Sequence, residues 1–227
     1  GVPNTQLVKE KTTLASHYKG KSVAEQNSVD LAWDLLMDDG YAALRQAIYK
    51  SEDERVHFRE LVVNTVMATD IMDKDLKALR NGRWEKAFSG ASADLEESKK
   101  DAVDRKATIV IEHLIQASDV AHTMQHWHIY RKWNEHLFQE TYKAYLNGRA
   151  EKDPSETWYQ SEIGFFDFYI IPLAKKLDDC GVFGVSSDEY LNYAMKNRQE
   201  WKDKGEEVVV EMLKKYSSLG LPSTNQR

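Results

Sequence analysis

Apolar positions along the chain recur at three- and four-residue spacing rather than by alternation, which predicts helices throughout. Val29, Leu31, Ala32, Leu35 and Leu36 make the face of one helix, which follows the capping-box spacing Ser22-Val-Ala-Glu25 and stops near Asp38-Asp39-Gly40. Ser51-Glu-Asp-Glu54 repeats the start signal before a helix that buries Phe58, Leu61, Val62 and Val66 and ends close to Ile71. Residues 73–98 read as a short helix, an exposed loop around Ser89-Gly90 and the start of another helix, with their charges on solvated surface. From Asp101 to Val120 a helix grows steadily more apolar through Ile109, Val110, Ile111, Leu114 and Ile115 before reaching Asp119. Gln125 to Leu146 is a further long helix, ended by Asn147-Gly148. A helix carrying Trp158, Ile163, Phe165, Phe166, Phe168, Ile170, Ile171 and Leu173 is apolar on nearly all sides and should be central, with a kink at Pro172. Ser186-Ser-Asp-Glu189 starts the last amphipathic helix, which runs to about Tyr216. The expected fold class is all-α, as one compact multi-helix domain over 1–217 with a loose tail over 218–227.

Composition narrows the possibilities. With 227 residues and 41% hydrophobic positions, a sizeable core is within reach. The 31 basic and 37 acidic residues leave a formal charge of −6, which argues against a nucleic-acid footprint or polybasic attraction to lipid. Cys180 stands alone, so no internal disulfide or CxxC zinc motif is available, and a reducing compartment is favoured. The longest mostly apolar run, Ile163 to Ala174, is broken by Asp167 and too short to span a bilayer, so no membrane contact is expected of this segment. A chain that opens on Gly1 and enters helical sequence at once is expected to be an excerpt of something longer.

Three groups of residues could carry chemistry. Thr69-Asp70 and Ser118-Asp119 put carboxylates at the ends of two apolar helices, where they could converge on metal ions; helix-end hydrogen bonds are the simpler reading of that pattern. His122, His126, His128 and His136 lie within fifteen residues, and 122 and 126 have the i,i+4 spacing of a shared zinc ion. On a helix, however, 126 and 128 face different sides, which argues against one four-histidine site. Glu162 precedes Phe165 by one turn, as a polar handle beside a flat ring would in a ligand pocket, although pattern alone favours a surface acid beside a core phenylalanine.

The run Ala117-Ser-Asp119-Val-Ala-His122, with Tyr130-Arg131-Lys-Trp133 beyond it, resembles the HxADxSNP and YxxW motifs of the class I cyclic nucleotide phosphodiesterases. The likeness continues through Ser161-Glu-Ile-Gly-Phe-Phe-Asp167 and Pro172-Leu173, similar to that family's SQxGFID and PLW. It also extends back through Val66-Met-Ala-Thr69-Asp70 and Ser22-Val-Ala-Glu25 to Gly1-Val-Pro-Asn4, in order and at matching spacing. The resemblance implies a compact helical domain of the HD-type phosphodiesterase kind, incomplete at its N-terminus. It implies hydrolysis of 3′,5′-cAMP or cGMP to the 5′-monophosphate in signal transduction, assisted by two divalent metal ions, zinc with magnesium or manganese. By the same resemblance Asp119 is a metal ligand, Glu25 and Thr69 hold metal-bound water, and Asp70 supports them. Leu137 and Phe165 sandwich the base, Glu162 stands where the family reads the purine with glutamine, and His122 stands at the pocket asparagine.

Several positions depart from the family's pattern. The HNxxH motif with the general-acid histidine and the HDxDH metal motif would lie upstream of Gly1, so no catalytic residue is expected within the span, and residues 1–227 alone are expected to be inactive. Gln116 replaces the histidine three before the metal aspartate, Ser28 the second histidine after SxLE, and His122 an asparagine. An ionised Glu162 would only accept hydrogen bonds where glutamine both donates and accepts. The alternative expectation is therefore a catalytically dead helical domain that binds cyclic nucleotide or regulates an attached module. The parent is expected on the cytosolic side, with fusion to receptor or cyclase modules, and hence a membrane anchor, left open.

Overall fold

A computed structural model describes residues 3–88 and 99–217; the expected loop around Ser89-Gly90 and the tail over 218–227 lie outside the described residues. Every regular element among the described residues is helical. Contacts divide the chain between Asp119 and Val120 into two compact units.

The N-terminal unit holds α1 (Asn4–Lys9), α2 (Thr13–His17), α3 (Val23–Met37), α4 (Ala42–Ile48), α5 (Glu52–Met67), α6 (Lys74–Phe88) and α7 (Lys99–Asp119). Ser51 caps α5 as expected, its hydroxyl accepting from the Glu54 N–H at 3.2 Å. Ser22 does not cap α3: it sits in the left-handed region at φ 38°, and its buried hydroxyl has no hydrogen-bond partner. The packed stripe of α3 also differs from the expected one. Val29, Trp33 and Leu36, at i, i+4 and i+7, turn inward, with Trp33 against Phe58 of α5, while Leu31 and Leu35 are exposed. Helix α5 stops at Met67, earlier than expected, and Phe58, Leu61, Val62 and Val66 are only half-buried.

Helix α7 departs from its apolar reading in an informative way. Ile111 and Ile115 face outward, and the buried face carries Ile109, Glu112, His113 and Gln116. These polar groups are matched from other helices: Arg83 donates to Glu112 Oε2 at 2.6 Å, Trp84 packs on the His113 ring, and Gln116 Nε2 donates to the Ala68 carbonyl at 2.9 Å. Burial pushes the Glu112 carboxyl up in pKa, against the opposing charge of Arg83.

The C-terminal unit holds α8 (Trp127–Leu146), α9 (Trp158–Phe165), a π-helical turn (Phe166–Ile170), α10 (Ile171–Asp179) and α11 (Ser187–Ser217). Helix α8 buries Tyr130, Asn134, Phe138 and Tyr142, four residues apart. Along α11 the buried stripe runs Ala194, Asn197, Trp201, Gly205, Val208, Met212 and Tyr216, the spacing of a helix with one inward face. Pro172, where a kink is expected, stands in the first turn of α10, directly after the π turn, at a position where a missing N–H is tolerated. Phe166 and Ile170 are fully buried, but Phe168 is exposed, so this segment is apolar all round without being buried all round.

Gly205 of α11 lies against Tyr159 of α9. A Cβ there would lie 2.7 Å from Tyr159 Cδ2 and clash with Trp201. Gly205→Ala is expected to destabilise the protein, because overpacking of about 1–3 kcal/mol outweighs the roughly 1 kcal/mol that alanine gains in helix propensity. A lowered urea midpoint checks this.

Candidate functional site

The carboxylates expected near a metal are all in the N-terminal unit. Glu25 is in the first turn of α3, and Asp70 follows the end of α5. Asn4 joins them: its Nδ2 donates to Glu25 Oε2 at 2.8 Å and to Asp70 Oδ2 at 3.5 Å, while its Oδ1 accepts from the Ala24 N–H at 2.9 Å. Asn4 thus performs the capping that the sequence assigns to Ser22, and the Glu25 carboxylate accepts from Asn4. Asp70 is buried, and its Oδ1 accepts from the backbone N–H groups of Met72 and Asp73, both at 3.2 Å. Buried Arg80 donates to the Asp70 carbonyl at 3.3 Å and holds this turn against α6. The Thr69 hydroxyl donates to the Val66 carbonyl at 2.7 Å. Asp119, the last residue of α7, is exposed.

A metal ion needs several such groups at once. Among the described residues no three His, Cys, Asp or Glu side chains gather to hold one. Thr69 is committed to a carbonyl and Asp70 to backbone donors, so these residues do not by themselves fit a two-metal centre. The four histidines do not form one site either: the His126 ring stacks on His128 at 5.7 Å and its Nε2 pairs with the Tyr193 hydroxyl at 2.9 Å, while the His122 ring lies parallel to Tyr130 at 6.2 Å.

The residues expected to meet a nucleotide are in the C-terminal unit, and at Glu162 the structure departs from the pattern-based reading. The side chain is only 8% exposed, where a surface acid was expected. Tyr130 Oη donates to Glu162 Oε2, and the same phenolic oxygen accepts from Trp201 Nε1 and, at 3.3 Å, from Asn134 Nδ2. Trp158 Nε1 donates to Asn134 Oδ1 at 3.1 Å. Burial raises the Glu162 pKa, opposed by hydrogen bonds from Tyr130 and Asn134, and Tyr130 is raised well above its ordinary value by burial and by Glu162. Phe165 is half-buried and stacks on Tyr169 at 5.4 Å. Leu137 is 51% exposed on the side of α8 that also exposes Trp133.

Residues 1–182 match the family model described as 3′5′-cyclic nucleotide phosphodiesterase. The chain belongs to that family. A Caenorhabditis elegans protein described as a probable 3′,5′-cyclic-AMP phosphodiesterase is 25% identical over 187 residues, covering 76% of this chain and 26% of the worm protein. The Bos taurus dual specificity calcium/calmodulin-dependent 3′,5′-cyclic nucleotide phosphodiesterase 1B is 24% identical over 223 residues, 92% of this chain and 38% of its own length. The chain therefore spans between about a quarter and two fifths of these relatives. Its fold is that of the phosphodiesterase domain of Salpingoeca rosetta rhodopsin phosphodiesterase, with a TM-score of 0.69 at 20% identity over 94% of this chain and 64% of that one. Phosphodiesterases of this family generally use divalent metals. Among the described residues no helix is long and apolar enough to cross a membrane.

Two parts of the candidate site escape a reading of the sequence. Asn4 acts across a gap of 20 residues to Ala24 and 66 to Asp70, which no local spacing signals. Tyr130, Asn134, Trp158 and Trp201 come from three helices. The available signal is that Tyr and Trp, once buried, need partners for their O–H and N–H groups.

Proposed function

We propose that the protein containing this chain hydrolyses 3′,5′-cyclic nucleotides, cAMP or cGMP, to 5′-monophosphates in signal transduction. The observation that carries this reading is the match of residues 1–182 to the family; Glu162, which by the resemblance stands at the purine-reading glutamine, is buried and hydrogen-bonded there. In the full protein Asp119 supplies one carboxylate to a pair of divalent metals, zinc with magnesium or manganese, whose other ligands come from outside the described residues. Glu25, Thr69 and Asp70 shape its surroundings. Leu137 and Phe165 flank the base, and His122 lines the pocket. The rhodopsin fusion among the structural relatives supports a parent that joins this domain to a receptor or cyclase module, with the domain on the cytosolic side.

Hydrolysis of cAMP and cGMP by the full-length protein, measured beside residues 1–227 alone, tests the proposal. Product is expected from the full-length protein and none from the shorter chain; turnover by residues 1–227 alone would refute the dependence on the rest of the domain. A second reading, a domain that binds cyclic nucleotide without hydrolysing it, draws support from Gln116. That residue stands at the family's histidine, yet its amide is committed to the Ala68 carbonyl. Nucleotide binding without turnover by the full-length protein would favour it.

A further inference from the structure

A cleft of about 260 Å³ lies between α5 and α6, within the N-terminal unit. Its walls are apolar: Met67 and Ala68 from the end of α5, Leu76 and Leu79 from α6. Leu79 is 63% exposed and Leu76 half-buried, so part of this apolar surface meets water. Two guanidinium groups interrupt it, those of Arg80 and Arg83, and among the described residues no Asp or Glu side chain lines the cleft.

The two arginines differ in setting. Arg80 is only 5% exposed, and its contacts with the Met67 and Asp70 carbonyls, at 3.5 and 3.3 Å, are longer than the usual N–H to oxygen bond. A guanidinium has five N–H groups in a planar fork that matches a carboxylate. The Arg83 side chain is 46% exposed, and its Nη2 donates to the buried Glu112 behind it at 2.6 Å. A ligand on the cleft side therefore meets positive charge set in an apolar wall.

We propose that this cleft binds a small monocarboxylate with an apolar body, the carboxylate on Arg80 and Arg83 and the body against Met67, Leu76 and Leu79. Size agrees: an apolar cavity of about 150 Å³ holds benzene, so this cleft accommodates a phenyl ring on a short arm. A doubly charged phosphate is a poorer fit, because so apolar a wall supplies too few donors for its charge and oxygens. Covering Leu76 and Leu79 adds a hydrophobic gain that a bare inorganic anion cannot make. Arg80 also holds the Asp70 carbonyl, so an occupant is tied through one side chain to the turn that carries Thr69 and Asp70.

The probe is 3-phenylpropionate, compared with its neutral amide by titration calorimetry on the full-length protein at about pH 7, where the acid is ionised. The acid is expected to bind at least about tenfold more tightly than the amide, the difference made by a charged acceptor on the guanidiniums. Leu79→Gln and Leu79→Glu change an exposed side chain to two of equal shape that differ in charge. The acid is expected to bind the Glu variant about fivefold more weakly than the Gln variant, and the amide to bind both alike. Hydrogen exchange locates the occupant, with slowing expected within residues 64–83. None of these readouts depends on cyclic-nucleotide turnover. Equal affinities for acid and amide, or equal acid affinities in the Gln and Glu variants, would overturn recognition by the arginines. Absence of binding at millimolar acid, or slowed exchange only outside residues 64–83, would overturn the site.

Discussion

Asp119→Asn in the full-length protein is expected to lower cyclic-nucleotide turnover by more than about a hundredfold, beyond the roughly 10–100-fold cost of losing a residue that merely supports a metal ligand. The residue closes α7 and is exposed. An asparagine keeps the shape and removes the charge, so the change isolates the carboxylate. Metal content separates the explanations. Fewer divalent ions bound per protein, with the helical spectrum intact, identifies Asp119 as a ligand; unchanged metal and unchanged turnover would remove it from the chemistry.

Trp201→Ala should bring the largest loss of stability. Its side chain is fully buried on α11, packs at right angles to Trp127 and donates to Tyr130. Deleting a buried aromatic ring costs about 3–5 kcal/mol. Trp201→Phe keeps most of the volume and loses the donor, which should cost about 1–3 kcal/mol by leaving a buried polar group less satisfied. Urea midpoints for the three proteins, compared at constant m-value, give the ordering wild type, Phe, Ala. Equal midpoints for the Phe and Ala variants would show that packing contributes little and the hydrogen bond most.

The long amphipathic helices were legible in the sequence because one neighbour on one side satisfies their pattern. The inward stripes of α8 and α11 keep three- and four-residue spacing, broken only where α11 buries Val209 beside Val208. Helix α3 was legible as a helix but not in its facing, since Trp33 packs against Phe58 in preference to the equally apolar Leu31 and Leu35. Burial of Glu112 depends on Arg83, and burial of Glu162 on Tyr130, each on another helix. Polar burial is decided by partners remote in sequence, whereas apolar burial is announced by period. The family motifs point to Asp119 and Glu162 by position, but nothing in their spacing tells that Asn4 joins Glu25 to Asp70.

The most direct measurement is phosphorus NMR of cAMP and cGMP incubated with the full-length protein and with its Asp119→Asn variant. The account predicts conversion of the cyclic phosphate to the 5′-monophosphate by the first and a rate lower by more than about a hundredfold in the second. A protein that leaves both cyclic nucleotides intact, or whose product forms at the same rate without the Asp119 carboxylate, would contradict it.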